Sequence, residues 1–556
     1  MKTIKKLICM LFLSSAVSCS LEEVPEHFVD NEHFYNTKAQ CISALNSCYN
    51  KLSGIFSYRM FYMTEIQSDL WWNNSGTGYD ATLDITPSSP GHGETIWDNG
   101  YQAVMFCNEC VECIAASPLE DEVKMPLVAE ARVLRALYYH VLTQVFNGVP
   151  FYLDRVDSVE RMEEIRNMKR TPAADIRSIL YNDLKDNALP YFTETNGLKK
   201  RPSDLAENRA GYALALYLMA NFAMWNKDYE AALEPLKELK ELYGSLHENT
   251  ADYPLENLKW SIKNTPESIF EIQHTWSISG VQYIGNLARF TTPDWDEGAV
   301  YDGVNPTAGG WYTSFRANMS TSTPAKATYR LALVAAKKNS QTGEKDQPDR
   351  SLFYPLPLVL SGDKYVIDTA AVAAGSVAGQ KIDKRIYYTL GLGNLVTGQP
   401  FNQVAANAFV WSGPKFWCPD MLQGSDSNNY KIYRYADAVL MMAECYCQLD
   451  EPDLAMDCLN STRLRAGVDP ITNYTGIDDL MVQIRDERAR ELAGEFHRKF
   501  DLVRWGIWYE QTLQYSLKGT LRKNIRRCHE YYPIPDTQCA LSGYALTNDA
   551  YAAAGM

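Results

Sequence analysis

Residues able to do chemistry are unevenly spread along this chain of 556 residues. Cys107, Cys110 and Cys113 stand at three-residue spacing, as part of an iron–sulfur or zinc set would. No fourth Cys or His follows at ligand spacing, and Ala103, Phe106, Cys110 and Ile114 recur every three or four residues. That is the stripe of a buried helix, so the thiols read as small core side chains and no metal is expected. Carboxylate pairs are abundant. Glu491 and Glu495 share a helix face one turn apart, but a glycosidase needs two carboxyls flanking a bound sugar at roughly 5–10 Å, which spacing alone does not establish. There is no Gly-x-Ser-x-Gly elbow, no His-Glu-x-x-His pair and no dinucleotide or phosphate loop, and the 8 His are scattered. No catalytic residue and no cofactor is assigned. The positive signal is aromatic, with 12 Trp and 35 Tyr. Trp71-Trp72-Asn73-Asn74-Ser75-Gly76, Thr291-Thr292-Pro293-Asp294-Trp295 and Gly309-Gly310-Trp311-Tyr312 set rings among small and polar residues. Such rings offer flat apolar faces, and their neighbours offer hydrogen bonds. Asp294 and Asp296 are too few oxygens to define a calcium site.

Composition narrows the classes. The chain is 46% hydrophobic and 22% charged, enough apolar matter for a large core and too much for a disordered chain. A net charge of −15 opposes nucleic acid as a partner, because phosphate binding needs a basic surface. No apolar run reaches the roughly 18–20 residues of a membrane-spanning helix.

The first residues are a secretory signal rather than structure. Lys2, Lys5 and Lys6 precede an apolar stretch from Leu7 to Val17, and Ala16-Val17-Ser18 supply small residues before Cys19. Small residues followed at once by Cys resemble the bacterial lipobox, whose Cys is lipid-modified and begins the mature chain. Glu22 and Glu23 resemble the acidic tag that sends some lipoproteins to the outer cell surface. Removing residues 1–18 takes away three lysines and leaves a charge of −18.

The elements that must position the aromatic loops are helical. Thr37 with Gln40 reads as a capping box opening a helix through Cys41, Leu45 and Cys48. Leu127, Ala131, Leu134, Tyr138, Val141 and Val145 form a continuous stripe stopped by Gly148 and Pro150. Thr171 and Pro172 begin a helix carrying Ile176, Leu180 and Leu184. Two helix pairs then match: Ala210–Trp225 with Tyr229–Tyr243, and Tyr435–Cys447 with Asp453–Arg465. Ala220, Ala232 and Leu236 in the first correspond in spacing to Ala443, Ala455 and Leu459 in the second. Small residues at a hairpin contact and a Leu one turn on are the pattern of tetratricopeptide-like pairs. Trp97 and Trp505 fall on helical segments and read as core. From about 245 to 430 the helical period fades into Gly, Pro, Ser, Thr and aromatics, as functional loops do.

Several motifs together resemble the SusD/RagB nutrient-uptake lipoproteins. They are Ala129-Glu130-Ala131-Arg132 with Leu134-Arg135-Ala136-Leu137-Tyr138-Tyr139, Phe146-Asn147-Gly148-Val149-Pro150, and Arg434-Tyr435-Ala436-Asp437 with Met442-Ala443-Glu444. Asn460, Arg463, Arg465-Ala466-Gly467, Glu487-Arg488 with Glu491-Leu492, Phe500 to Gly506 and Tyr532-Pro533-Ile534-Pro535 continue the match. Between about 300 and 430 little matches beyond Asp383-Lys384-Arg385, and an Ala/Lys-rich stretch near 325–340 departs from the pattern. The resemblance implies a mostly α fold, a tetratricopeptide-like helical-pair scaffold of four pairs with an irregular loop-rich capping lobe. It also implies a surface lipoprotein seated on a SusC-like TonB-dependent transporter, capturing oligosaccharide, or alternatively peptide, for import; a glycan-degrading enzyme is the remaining reading.

On this reading residues 1–18 are the signal peptide, 19–245 an N-terminal helical region, 246–430 the ligand-binding lobe and 431–556 the helical region completing the scaffold. In the family the site lies on loops and exposed aromatics outside the helical pairs. The candidates here are Trp71, Trp72, Asn73, Asn74, Trp295, Trp311 and Tyr312, with Cys19 as the lipid anchor to the outer membrane. Arg132, Arg135, Glu487, Arg488, Arg490 and Glu491 stand at helical spacings suited to ion pairs and read as scaffold.

Overall fold

The computed structural model describes residues 34–73, 78–278, 281–291, 315–320, 353, 355, 357–361, 364–389, 409–411, 413–419, 425–516 and 518–556. The described chain is mostly helical. Helix α1 (Lys38–Asn50) opens on the expected cap: the Thr37 hydroxyl accepts from the Gln40 N–H, and the Gln40 side chain accepts from the Thr37 N–H at 2.9 Å. Its buried face of Cys41, Leu45 and Cys48 lies on α2 (Gly93–Ala115), the helix of the three cysteines. Cys107 and Cys110 are core residues there, and Cys113 is half-buried. Among the described residues no group of three His, Cys, Asp or Glu is arranged to hold a metal ion.

Helix α3 (Asp121–Phe146) packs along α2 and is buried from Leu127 to Phe146 except at the half-buried Arg132. Its Arg132 and Arg135 both donate to Asp183 of α4 (Ala173–Asn187), Arg135 at 2.8 Å. These two signature arginines are therefore joints between helices.

The paired hairpins are α5 (Tyr212–Trp225) with α6 (Tyr229–Tyr243), and α7 (Tyr435–Gln448) with α8 (Pro452–Arg465). Ala220, Ala232, Leu236, Ala443, Ala455 and Leu459 are all fully buried. The correspondence extends to the turns. Lys227 and Asp450 take the same left-handed conformation, at φ 60° and 59°. The turns close with the same bond, Asp228 N–H to the Ala223 carbonyl at 2.9 Å and Glu451 N–H to the Tyr446 carbonyl at 2.8 Å. Small side chains let the helices of each pair approach, and α6 packs on α7, so repeats distant in sequence stack into one scaffold. Helix α9 (Ile477–Glu491) covers α7 and α8, and a short α10 (Arg498–Arg504) follows.

Strands organise the rest: β1 (Trp71–Asn73), β2 (Ser268–Ile272), β3 (Phe315–Ser320), β4 (Phe409–Trp411) and β5 (Tyr430–Arg434). Antiparallel β2 and β5 are buried along their whole length, and β5 runs directly into α7, joining the lobe to the scaffold. Strands β1, β3 and β4 form a small antiparallel sheet. Trp97 is buried as expected. Trp505 lies at the edge of the core: it packs against it but is half-buried, lies under the Arg485 and Arg498 guanidiniums at 5.2 and 5.8 Å, and donates its indole N–H to Glu444 at 3.1 Å. No helix among the described residues is long and apolar enough to cross a membrane.

Candidate ligand-binding site

The segment leading into β1 begins with a single π-helical turn at Tyr62–Ile66, a widened turn that recurs at functional sites. From that turn on, every second residue is anchored to the C-terminal part of the chain. Glu65 accepts backbone N–H bonds from Gly494 and His497 at 3.1 Å and from Arg498 at 3.3 Å. Gln67 accepts from the Lys499 ammonium at 2.8 Å and donates to the Tyr532 hydroxyl at 2.6 Å, while its carbonyl accepts the Trp508 indole N–H at 2.7 Å. Asp69 receives a two-pronged guanidinium from Arg498, at 2.7 and 2.8 Å. Burial pushes the Glu65 carboxyl up to about 7, against the Arg498 and Gly494 N–H groups and the Lys415 and Arg498 charges, which favour ionisation. Burial likewise brings Lys499 down to about 7.

The alternation then decides which tryptophan faces the core. Trp71 is 0% exposed, lies against Phe61 and Phe416 with ring centroids 5.5 and 6.0 Å away, and has no hydrogen-bond partner for its indole N–H among the described residues. It is a packing residue beneath the sheet. In the sheet Trp71 pairs with Ala317 and Asn73 with Phe315, whereas Trp72 pairs with Arg316, which in turn pairs with Trp411. Successive rows alternate between the two faces. Trp72, Arg316 and Trp411 are thus aligned across the three strands, one residue out of step with the Trp71–Ala317 pair. Trp411 was not among the residues the sequence put forward; its signal is only that it closes the Phe409-Val410-Trp411 strand. Asn74, Trp295, Trp311, Tyr312 and Cys19 lie outside the described residues.

The two carboxylates one turn apart are closed off. Arg434 donates to Glu491 at 2.7 Å, to Glu495 at 2.8 Å and to Glu267 at 2.6 Å. Arg385 reaches Glu491 at 2.9 Å and Glu487 at 2.7 Å, Arg465 also pairs with Glu491, and Lys415 meets Glu495 at 2.5 Å. Burial works against ionisation, yet Arg465, Arg434 and Arg385 hold Glu491 well below the usual carboxylate range. Arg434 and Lys415 lower Glu495 in the same way, against its burial. A carboxylate held ionised and out of solvent cannot protonate a leaving group.

A cavity of about 30 Å³ between α3, α5, β5 and α10 is lined by His140, Gln144, Asn221, Tyr433, Arg488 and His497. It has room for a water or two and none for a sugar ring. Neither ring nitrogen of His140 has a partner among the described residues. Burial, followed by the nearby Arg177 and His497 charges, takes it down to about 3, so the ring is neutral.

Two family models match the chain. One, described as starch-binding associating with outer membrane, covers residues 21–218; the other, described as the SusD family, covers residues 418–543. Together they span more than half of the sequence and leave residues 219–417 between them. The chain belongs to the SusD family, the SusD/RagB family of its motifs. It is 25% identical to SusD-like protein P25 of Formosa agariphila, with 98% of each chain covered. The fold resembles the crystal structure of a SusD superfamily protein from Bacteroides vulgatus at a TM-score of 0.64 and 18% identity, over 92% of this chain and 99% of that one. It also resembles surface glycan-binding protein A from Bacteroides uniformis, at a TM-score of 0.60 and 19% identity over 93% and 100%.

Proposed function

We propose that this protein captures oligosaccharide at the cell surface, anchored in the outer membrane through a lipid on Cys19, and delivers it to a SusC-like TonB-dependent transporter without cleaving it. The observation that carries the reading is the cross-strand register that aligns Trp72, Arg316 and Trp411, one residue on from the buried Trp71. Pyranose rings have apolar C–H faces and polar rims, so tryptophans in register with a polar residue suit them. Asn73, Asn74, Trp295, Trp311 and Tyr312 complete the proposed site. The family model for starch-binding proteins associated with the outer membrane supports both the ligand class and the location. The locked state of Glu491 and Glu495 supports capture rather than hydrolysis.

Capture for import needs release, so affinity on the order of micromolar to millimolar is expected. Isothermal titration against a glycan panel tests the reading, with wild type beside a variant carrying Trp72→Ala, Trp295→Ala and Trp311→Ala, and a second carrying Trp72→Ala and Trp411→Ala. Loss of binding in folded variants supports the site, and full retention refutes it. Failure of every glycan together with binding of peptides overturns the substrate class.

A further inference from the structure

The strand carrying Trp72 has little of its own to hold it. It is three residues long, and its sheet is small. What fixes it lies far away in sequence. Glu65, Gln67 and Asp69 alternate along one edge of the segment and engage Gly494, His497, Arg498 and Lys499 in turn. Arg498 is the joint of this arrangement. Its backbone N–H goes to Glu65 and its guanidinium forks onto Asp69, two residues before Trp71, with both side chains buried. A planar fork on a carboxylate fixes orientation as well as distance.

We propose that Arg498 is a positioning residue for the ligand-binding strand: through Asp69 and Glu65 it sets where Trp71–Asn73 lies, and so holds the Trp72 row in register, without touching ligand. This rests on the proposed capture function for its meaning, but not for its test. Glu65 is ringed by Lys415 and its partner Glu495, by Arg498 and by the His497 backbone, while Lys499 serves Gln67. Burial moves both the Glu65 carboxyl and the Lys499 ammonium toward about 7, so the same segment is expected to respond to pH.

The experiment is amide hydrogen exchange on the full chain without ligand, comparing wild type with Arg498→Lys, which keeps the charge and gives up the fork, and with Asp69→Asn. In both variants exchange at residues 69–73 should quicken by about tenfold or more, while peptides from α3 and α7 exchange as in wild type, because local opening is separable from global unfolding. Arg498→Lys should keep more protection than Asp69→Asn, since it leaves no buried charge unpaired. Unchanged exchange at residues 69–73, or loss of protection spread evenly over the scaffold, overturns the proposal. A second arm titrates wild type from pH 6 to 8 after correction for intrinsic exchange. Protection at residues 69–73 should change across that range and change less in Glu65→Gln, where only Lys499 on Gln67 still titrates; a wild-type profile that Glu65→Gln leaves unaltered removes the role given to Glu65. Failure of wild type to bind any glycan counts against the capture function and leaves the exchange result standing.

Discussion

The guanidinium of Arg385 and the carboxylate of Glu491 meet at 2.9 Å with no part of either side chain exposed to solvent. Arg385 comes from the loop-rich lobe and Glu491 from the last turn of α9, so the pair ties the two parts of the molecule at a point water cannot reach. Burying such charges is costly, so the pair is weak evidence for net stability, but breaking it leaves charge without a partner.

Removing one member should therefore do more harm than its net worth suggests. Glu491→Gln leaves Arg385, Arg434 and Arg465 short of countercharge, and we expect a loss of about 3–5 kcal/mol in urea unfolding. The exposed Arg166–Glu163 pair is the control, where Arg166→Ala should change stability by less than about 0.5 kcal/mol. Similar losses at the two sites would contradict the picture.

His140 predicts an acid sensitivity with a defined sign. The unfolded chain takes up a proton at this residue near 6.5, whereas the folded chain stays neutral down to about 3. Between those values the unfolded state holds more protons, so stability is intact above 6.5 and falls as pH drops through the window. His140→Leu removes that dependence. Relative to their difference at pH 8, the variant should gain about 2 kcal/mol on wild type at pH 5. Parallel pH profiles for the two proteins would sink the expectation.

The neighbouring tryptophans should separate cleanly. Trp71→Ala empties a fully buried site and should cost about 3–5 kcal/mol in thermal or denaturant unfolding. Trp72→Ala should leave stability within about 1 kcal/mol of wild type and reduce glycan affinity instead. An exchange of these two effects would mean that the strand runs with the opposite parity.

That pair also marks the limit of what the sequence discloses. The helical hairpins were legible because Ala220, Ala232 and Leu236 repeat as Ala443, Ala455 and Leu459, and both sets are buried where helices touch. The signature arginines were legible as joints because helical spacing places their partners on facing turns, as with Arg132, Arg135 and Asp183. Trp71 and Trp72 were not distinguishable. A three-residue strand has no readable period, and which residue turns inward is set by Glu65, Gln67 and Asp69 reaching partners more than 400 residues away. Trp505 packs against the core but is only half-buried, because it caps its helix and arginines share the cover of its ring.

Gly494 is a further point of strain in waiting. Its φ is +80°, and a Cβ there would stand 2.3 Å from the Phe416 ring. Gly494→Ala should destabilise by about 2 kcal/mol or more, measured as a lowered Tm, since it adds a disfavoured backbone conformation to a clash. A neutral result would mean that the turn can relax without losing its bonds to Glu65.

Anchoring is tested by Cys19→Ala. Each buried methylene contributes about 0.8 kcal/mol, so several acyl chains hold a soluble domain firmly. The variant should leave the membrane fraction with its helical circular dichroism unchanged. Retention in membranes stripped of partner proteins would refute the assignment.

The bonds from Glu65, Gln67 and Asp69 to residues 494–532 also impose an order of events on the nascent chain. Helices α1 to α3 can pair locally as they emerge, but the aromatic strand between α1 and α2 has no seat until almost the whole polypeptide has been delivered. A polypeptide interrupted before Gly494 would carry the tryptophans and much of the helical frame, yet no place to set them. The strand proposed to meet ligand is thus seated last, by residues made after most of the scaffold.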